Sequence, residues 1–363
     1  MRTHLRSLAV AAAALLIAGI AVAQDSTKKG KKADKLSDAP PKPTKPSAFW
    51  APTTPFELTL TVNVKKVRGD KMDQAPWEWG KVSYVDSGKT VTFPVRVRTR
   101  GISRLRICNL FPPLWVDFKP ADIKDHAFKG IGRLKLVTPC KPPSAFERYN
   151  LEEFNLYRLH SLVLPISHLV RPLHMTVVDS ASGKQEFVRY AFAVEDADEM
   201  ASRLGGKKFP VEGASANDLN TYQTAMEGLL QYMIGNTDFS IYALHNAELF
   251  QIGTEIYPIV YDYDQAGVIN PPYAAVDPKL GIKSVTERIY RGMCVAPDTV
   301  KKAIADLQAK KPQIYALYTD TIGKLIGSQG AREATHWFDD VYDELKDARW
   351  VKSQILDRCR DAR

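Results

Sequence analysis

Residues 235–267 read GNTDFSIYALHNAELFQIGTEIYPIVYDYDQAG. Two apolar runs, Glu248 to Ile252 and Glu255 to Tyr261, flank Gly253 and Thr254, the composition of a tight hairpin. Acidic and amide residues stand on either side of it: Asp238, His245 and Asn246 before, Asp262 and Asp264 after, with Gly267 just beyond. The hairpin brings these two polar loops, far apart in sequence, to one edge. Phosphoryl transfer needs a carboxylate near the accepting hydroxyl, and an Asn with an Asp whose oxygens hold Mg2+ or Mn2+ against nucleotide phosphates. The run supplies all three in one order.

Upstream, Asn217 or Asp218 is placed to cap an amphipathic helix over Leu219 to Ile234 that ends at Gly235 and delivers Asp238. In the first half, apolar residues alternate over Phe56–Val64 and Val91–Val97, the period of half-buried strands. Further strands are expected at Lys81–Val85, Leu114–Phe118, Arg133–Val137, Val170–Val178 and Phe187–Val194. The run FERYNLEEFNLYRLHSLVL, 146–164, reads as a helix with one apolar stripe, stopped by Pro165. Asp196 is a candidate N-cap for a helix closed by Gly205. Two more helical patterns, 297–326 with a break near Pro312 and 332–358, close the chain.

The opening run is similar to the catalytic half of the spore-coat CotH-like kinases. It resembles more closely a family of secreted bacterial proteins that shares GNTD, HN and YDYDQAG. That resemblance implies an α+β, two-lobed protein-kinase-like fold: an antiparallel sheet lobe with one helix over residues 51–195, then a mostly helical lobe over 196–363. By it Asp238 matches the catalytic aspartate, Asn246 the metal-binding asparagine, and Asp264, with Asp262 beside it, the metal aspartate. Asp238 and Asn246 are eight positions apart, an interval longer than that of the kinase catalytic loop. The RTRGISR run at 98–104 is similar to an R-x-RG-x-S signature of the same family, which makes Arg98 and Arg100 the expected phosphate-steadying residues. A strand lysine paired with a helix glutamate is also implied. Lys135 with Glu153 is the preferred pair, with Glu152 the neighbouring acid and Lys119, Lys129 and Arg100 the alternatives to the lysine. The implied activity is transfer of phosphate from a metal-bound ATP to a protein or small hydroxyl acceptor. A non-catalytic envelope module and a metal-dependent phosphohydrolase are the competing readings.

The chain has 363 residues, of which 45% are hydrophobic, enough for a large core. Residues 1–23 have the basic start, apolar run and A-x-A ending of a cleaved signal peptide, which implies a periplasmic or extracellular protein. Residues 24–50 are rich in Lys and Pro and are expected to be a disordered tether, suited to an acidic envelope surface. Of the formal charge of +9, the tether carries +4 and the leader +2, which leaves +3. That balance argues against nucleic acid as a partner, because a nucleic-acid site concentrates charge on a folded face. Four cysteines, at 108, 140, 294 and 359, lack the spacing of a zinc site and suggest two disulfides. Pairing Cys108 with Cys140 and Cys294 with Cys359 keeps each bridge within one half of the chain. There is no G-x-S-x-G elbow, Walker A run or H-E-x-x-H helix.

Overall fold

The two-residue turn Ser87–Gly88, with φ of 49° and 78°, folds back the strands Glu78–Asp86 and Lys89–Thr99. Positive φ at both positions matches the right-handed twist of the strands it joins. The structure is a computed structural model that describes residues 42–52, 54–73 and 75–360. The expected signal peptide and most of the tether lie outside those residues.

In chain order the barrel strands are β1 (Phe56–Val62), β2 (Glu78–Asp86), β3 (Lys89–Thr99), β4 (Leu114–Phe118), β5 (Arg133–Val137), β6 (Val170–Asp179) and β7 (Gln185–Glu195). They close in the order β1-β2-β3-β4-β5-β7-β6. Every pairing is antiparallel except the one that closes the ring, where β6 lies parallel to β1 from Phe56 opposite Leu173 to Val62 opposite Asp179. Residues of alternate positions, among them Leu60, Val82, Val95, Leu114, Leu134, Met175 and Ala193, fill the interior. A barrel of this size is a packed core with no pore.

This arrangement corrects the expected fold. The first half is a closed mixed barrel in place of the expected antiparallel sheet lobe with one helix, and Pro40–Arg363 forms one compact unit. The protein is therefore not a two-lobed kinase-like molecule. Period-two alternation identifies strands and their faces, but it carries no information on which strand closes on which, so the parallel β1–β6 pairing was invisible to it. The fold also begins inside the expected tether: Phe49 and Trp50 are buried against the barrel, Phe49 stacking on Phe128 at 4.8 Å.

The helices are α1 (Val64–Gly69), α2 (Ser103–Ile107), α3 (Pro120–Ile123), α4 (Ala145–Val163), α5 (Ala197–Arg203), α6 (Thr221–Ile234), α7 (Pro297–Ala309), α8 (Lys311–Ala316), α9 (Gly327–Lys346) and α10 (Ala348–Val351). A second sheet has the order β10-β9-β8, with β8 at Gly206–Lys208 and the predicted hairpin forming β9 (Ala247–Ile252) and β10 (Glu255–Val260). Helix α4 carries the main departure from an amphipathic pattern. Leu151, Phe154 and Leu159 join one apolar core with α6, α7 and α9, while Asn150, Glu152, Glu153 and Asn155 on its other faces are buried as well. A helix covered on all sides can hold charged groups only if they are paired or neutralised. That requirement shapes the site.

Cysteines 108 and 140 form one disulfide and cysteines 294 and 359 the other. Bridges of this kind form in oxidising compartments and fit an exported chain. No helix among the described residues is long and apolar enough to cross a membrane.

Candidate functional site

Helix α6 is capped by Asn220, whose side chain accepts from Gln223 N, and ends at Gly235 with φ of 68°. Asn217 and Asp218 instead lie in a short turn closed by Ser215. Gly235 and Gly267, the two ends of the opening run, meet: Gly267 N donates to Gly235 O at 3.0 Å. A Cβ on Gly267 would lie 2.2 Å from Val285 O, so only glycine fits where the run closes. Within the loop so closed, Leu244, Asn246 and Asp262 all have positive φ, of 48°, 48° and 65°. Three such residues in one place mark backbone held in shape by its surroundings.

Asp238 is the centre of the first polar loop. Its Oδ1 lies 2.8 Å from His245 Nε2, and its Oδ2 accepts from Asn246 Nδ2 at 3.1 Å and Gln265 Nε2 at 3.0 Å. Asn236 Oδ1 takes the backbone N–H of Asp238. Three donors thus fix the carboxylate while leaving it partly open to the cleft. Because Asn246 uses its amide NH2 on Asp238, its amide oxygen is left as an acceptor.

The second loop holds Asp262 and Asp264 on either side of Tyr263. That tyrosine is fully buried and bonds His160 Nδ1 and Val260 O, each at 2.7 Å, and His160 in turn meets the buried Glu227 at 2.9 Å. The Asp262 backbone N–H donates to Tyr157 Oη on α4 at 3.0 Å. The D-x-D segment is anchored through its middle residue, with its two carboxylates to either side.

Arg104 on α2 supplies the main electrostatic feature. Its guanidinium is buried, with Nε 2.7 Å from Asp264 Oδ2, Nη2 2.5 Å from Glu153 Oε2, and Asp262 at 4.0 Å. Burial works against its charge, but Asp264 and Glu153 raise its pKa well above the ordinary arginine value. Two acids share this one cation. Burial pushes Glu153 up to about 8 and Asp264 up to about 6, with Arg104 opposing in both cases. The cluster is short of positive charge, so a proton or a further cation stabilises it.

This overturns the expected Lys135–Glu153 pair: the partner of Glu153 is Arg104. Lys135 lies instead between two aromatic rings, 5.6 Å from Trp115 and 4.8 Å from Tyr261, and burial lowers its pKa. Arg100 lines the same cleft above Trp115 at 5.5 Å. Arg98 is outside it, stacked on Trp77 at 4.4 Å, so its expected place beside the phosphates is also corrected. Lys119 and Lys129 do not line the cleft. Arg288 and Arg291 serve the structure, the first bonding Glu344 at 2.6 Å and the second donating to Thr237 O.

The cleft has a volume of about 660 Å³. It gathers Asp238, Asn246, Asp262, Asp264 and Glu153 from the expected set with Lys135 and Arg100, and adds Arg104. The signal for Arg104 was present in RTRGISR, but strand alternation drew attention to Arg98 and Arg100. Nothing local indicates that the chain turns inward after Gly101, whose φ is 88°.

Among the described residues no three His, Cys, Asp or Glu side chains converge closely enough to hold an ion by themselves. A divalent cation of the magnesium type does not need such a cage, since it takes one or two carboxylates and completes its shell with water and phosphate oxygens. The donor chemistry fits that mode. Asp264 Oδ1 accepts no hydrogen bond among the described residues, Asp262 has only the distant Arg104, and Asn246 offers its amide oxygen.

Comparison with protein-family models and with curated proteins finds no match to the chain.

Proposed function

We propose that the cleft binds a nucleoside triphosphate together with a divalent cation and transfers its terminal phosphoryl group to a hydroxyl acceptor. One observation carries the reading: the carboxylate and amide oxygens of the opening run and the cations Lys135 and Arg100 line the same cleft. Carboxylates suit a metal ion and cations suit phosphate oxygens, so a ligand carrying both satisfies both. The resemblance of residues 235–267 to CotH-like kinases supports the same chemistry through its residues, independently of the corrected fold.

Asn246, Asp262 and Asp264 would hold the cation, which supplies neutralisation of the phosphate charge. Lys135 and Arg100 would hold the phosphate oxygens, and the rings of Trp115 and Tyr261 exclude water from Lys135. The acceptor oxygen bonds to the terminal phosphorus as the bond from that phosphorus to the bridging oxygen breaks. The hydroxyl proton passes to Asp238, held in place by His245, Asn246 and Gln265, and the nucleoside diphosphate leaves. The chain would act outside the cytoplasm after loss of its leader, tethered near the envelope by its lysines. Incubation with γ-labelled ATP and Mg2+ or Mn2+ tests this: label should appear on an acceptor or on the protein itself, and Asp238→Asn should abolish it. Release of free phosphate with no labelled acceptor would replace transfer by hydrolysis.

A second reading, a binding module without turnover, is favoured by the hold of Arg104 on Asp264. It predicts nucleotide binding with no transfer.

A further inference from the structure

Behind the cleft, five side chains, each at most 1% exposed, run from one polar loop to the other: Asn236, Gln231, Glu227, His160 and Tyr263. The backbone N–H of Asp238 donates to Asn236 Oδ1 at 3.0 Å, and Asn236 Nδ2 donates to Gln231 Oε1 at 2.8 Å. Gln231 Nε2 reaches Glu227 Oε2 at 3.4 Å, on the same face of α6 one turn back. Glu227 Oε1 lies 2.9 Å from His160 Nε2 on α4, and His160 Nδ1 lies 2.7 Å from the hydroxyl of Tyr263, the residue between Asp262 and Asp264.

Donor and acceptor counting fixes the direction of these bonds. Asn236 spends its oxygen on Asp238, so its amide NH2 must face Gln231, and the Gln231 NH2 must then face Glu227. From the other end, the Tyr263 hydroxyl donates to Val260 O, so it accepts from His160 Nδ1–H. Both arms end on one group: Glu227 Oε2 receives the arm from Asp238, and Glu227 Oε1 meets His160 Nε2 through one shared proton. No amide along the way can turn over without breaking two bonds, and each loss would strand a buried polar group.

We infer that Glu227 is a positioning residue, which holds the acceptor-side Asp238 and the cation-side Asp262 and Asp264 in fixed register. The inference rests on the proposed phosphoryl transfer and names a residue, remote from the cleft, on which it depends. Gln265 joins the same loops at the cleft surface through the Asp238 carboxylate, at 3.0 Å. The buried arms join them from behind, through the Asp238 backbone, and close a ring. A fully satisfied buried network of this kind is rigid, and a shift of about 1 Å between reacting groups costs about 100-fold in rate.

The test compares Glu227→Leu, which cuts both arms, with Glu227→Gln, whose oxygen can serve Gln231 while its NH2 donates to neutral His160. Amide exchange is read first, on the folded protein without nucleotide. In Glu227→Leu the Asp238 and Asp262 amides should exchange about tenfold faster, whereas Glu227→Gln should match the wild type. Gln231→Leu, a milder cut that serves if Glu227→Leu fails to fold, should speed the Asp238 amide alone. In phosphoryl transfer Glu227→Leu should lower kcat about 100-fold with KM for ATP within about threefold, and Glu227→Gln should restore it. A purely structural role would instead speed the most protected barrel amides, which open with global unfolding, and leave the two loop amides at their wild-type rates. That result would overturn the inference, as would a Glu227→Gln protein as impaired as Glu227→Leu, or wild-type kcat in folded Glu227→Leu. A wild type that transfers no phosphate would sink the proposed function, while the exchange rates still decide whether Glu227 holds the two loops.

Discussion

Replacing Arg104 by Met removes the one cation shared by Glu153 and Asp264 while keeping much of the side-chain volume. Both acids are buried, and breaking a buried ion pair costs about 3–5 kcal/mol because the remaining charge has no compensation. The cost depends on pH in a defined direction. Burial already raises Glu153 to about 8 and Asp264 to about 6, and loss of the arginine raises both further. An acid whose folded pKa lies above its unfolded one contributes stability below the unfolded value and loses it as pH rises through the folded value. The variant should therefore be destabilised by about 3–5 kcal/mol at pH 8 and by much less at pH 5. Urea unfolding followed by tryptophan fluorescence at the two values measures this. Mg2+ should offset more of the loss in the variant than it adds to the wild type, since Asp264 is released; about 2.7 kcal/mol is expected at 100 times the dissociation constant. A loss below about 1 kcal/mol at pH 8, or a loss equal at both values, would refute the reading of Arg104 as counter-charge to a buried acidic pair.

Lys135→Met should leave stability within about 1 kcal/mol, because a buried unpaired cation is replaced by an apolar chain of similar shape, yet it should abolish the ATP-induced thermal shift. Tyr263→Phe, which removes hydrogen bonds to His160 and Val260, should cost about 1–3 kcal/mol in urea unfolding and speed amide exchange at Asp262 and Asp264. Converting both Cys294 and Cys359 to Ser opens a closure spanning 65 residues and should cost about 4 kcal/mol. Wild-type stability should rise from pH 8 toward pH 5, since Glu152, pushed by burial to about 8, and Glu199, pushed by burial to about 7, share the sign of Glu153. Potentiometric titration of folded against unfolded protein would show proton uptake on folding across that range.

The strands Leu114–Phe118 and Arg133–Val137, the Asp196 cap and the hairpin after Asn246 were legible because each is written in local alternation or turn chemistry. The gathering of Asp238, Asn246, Asp262 and Asp264 was legible for the same reason: a hairpin must return its ends to one place. Barrel closure was not, because the parallel partner of β1 lies more than 100 residues away and both strands show the same pattern. The partner of Glu153 was hidden by a further step. Helix α4 is covered on all sides, so a glutamate that reads as solvated is buried, and its cation comes from a short helix with no periodic signature. Arg98 and Arg100 share one strand face in sequence, and only the cleft boundary separates their roles.

The most direct test of the central claim is a thermal-shift titration of the protein from Gln24 with ATP, with and without Mg2+ or Mn2+, beside Asp264→Ala. A stabilisation that requires the cation and is lost in the variant is the predicted result. A folded protein that shows no shift with any nucleotide, or the same shift in Asp264→Ala, would contradict it.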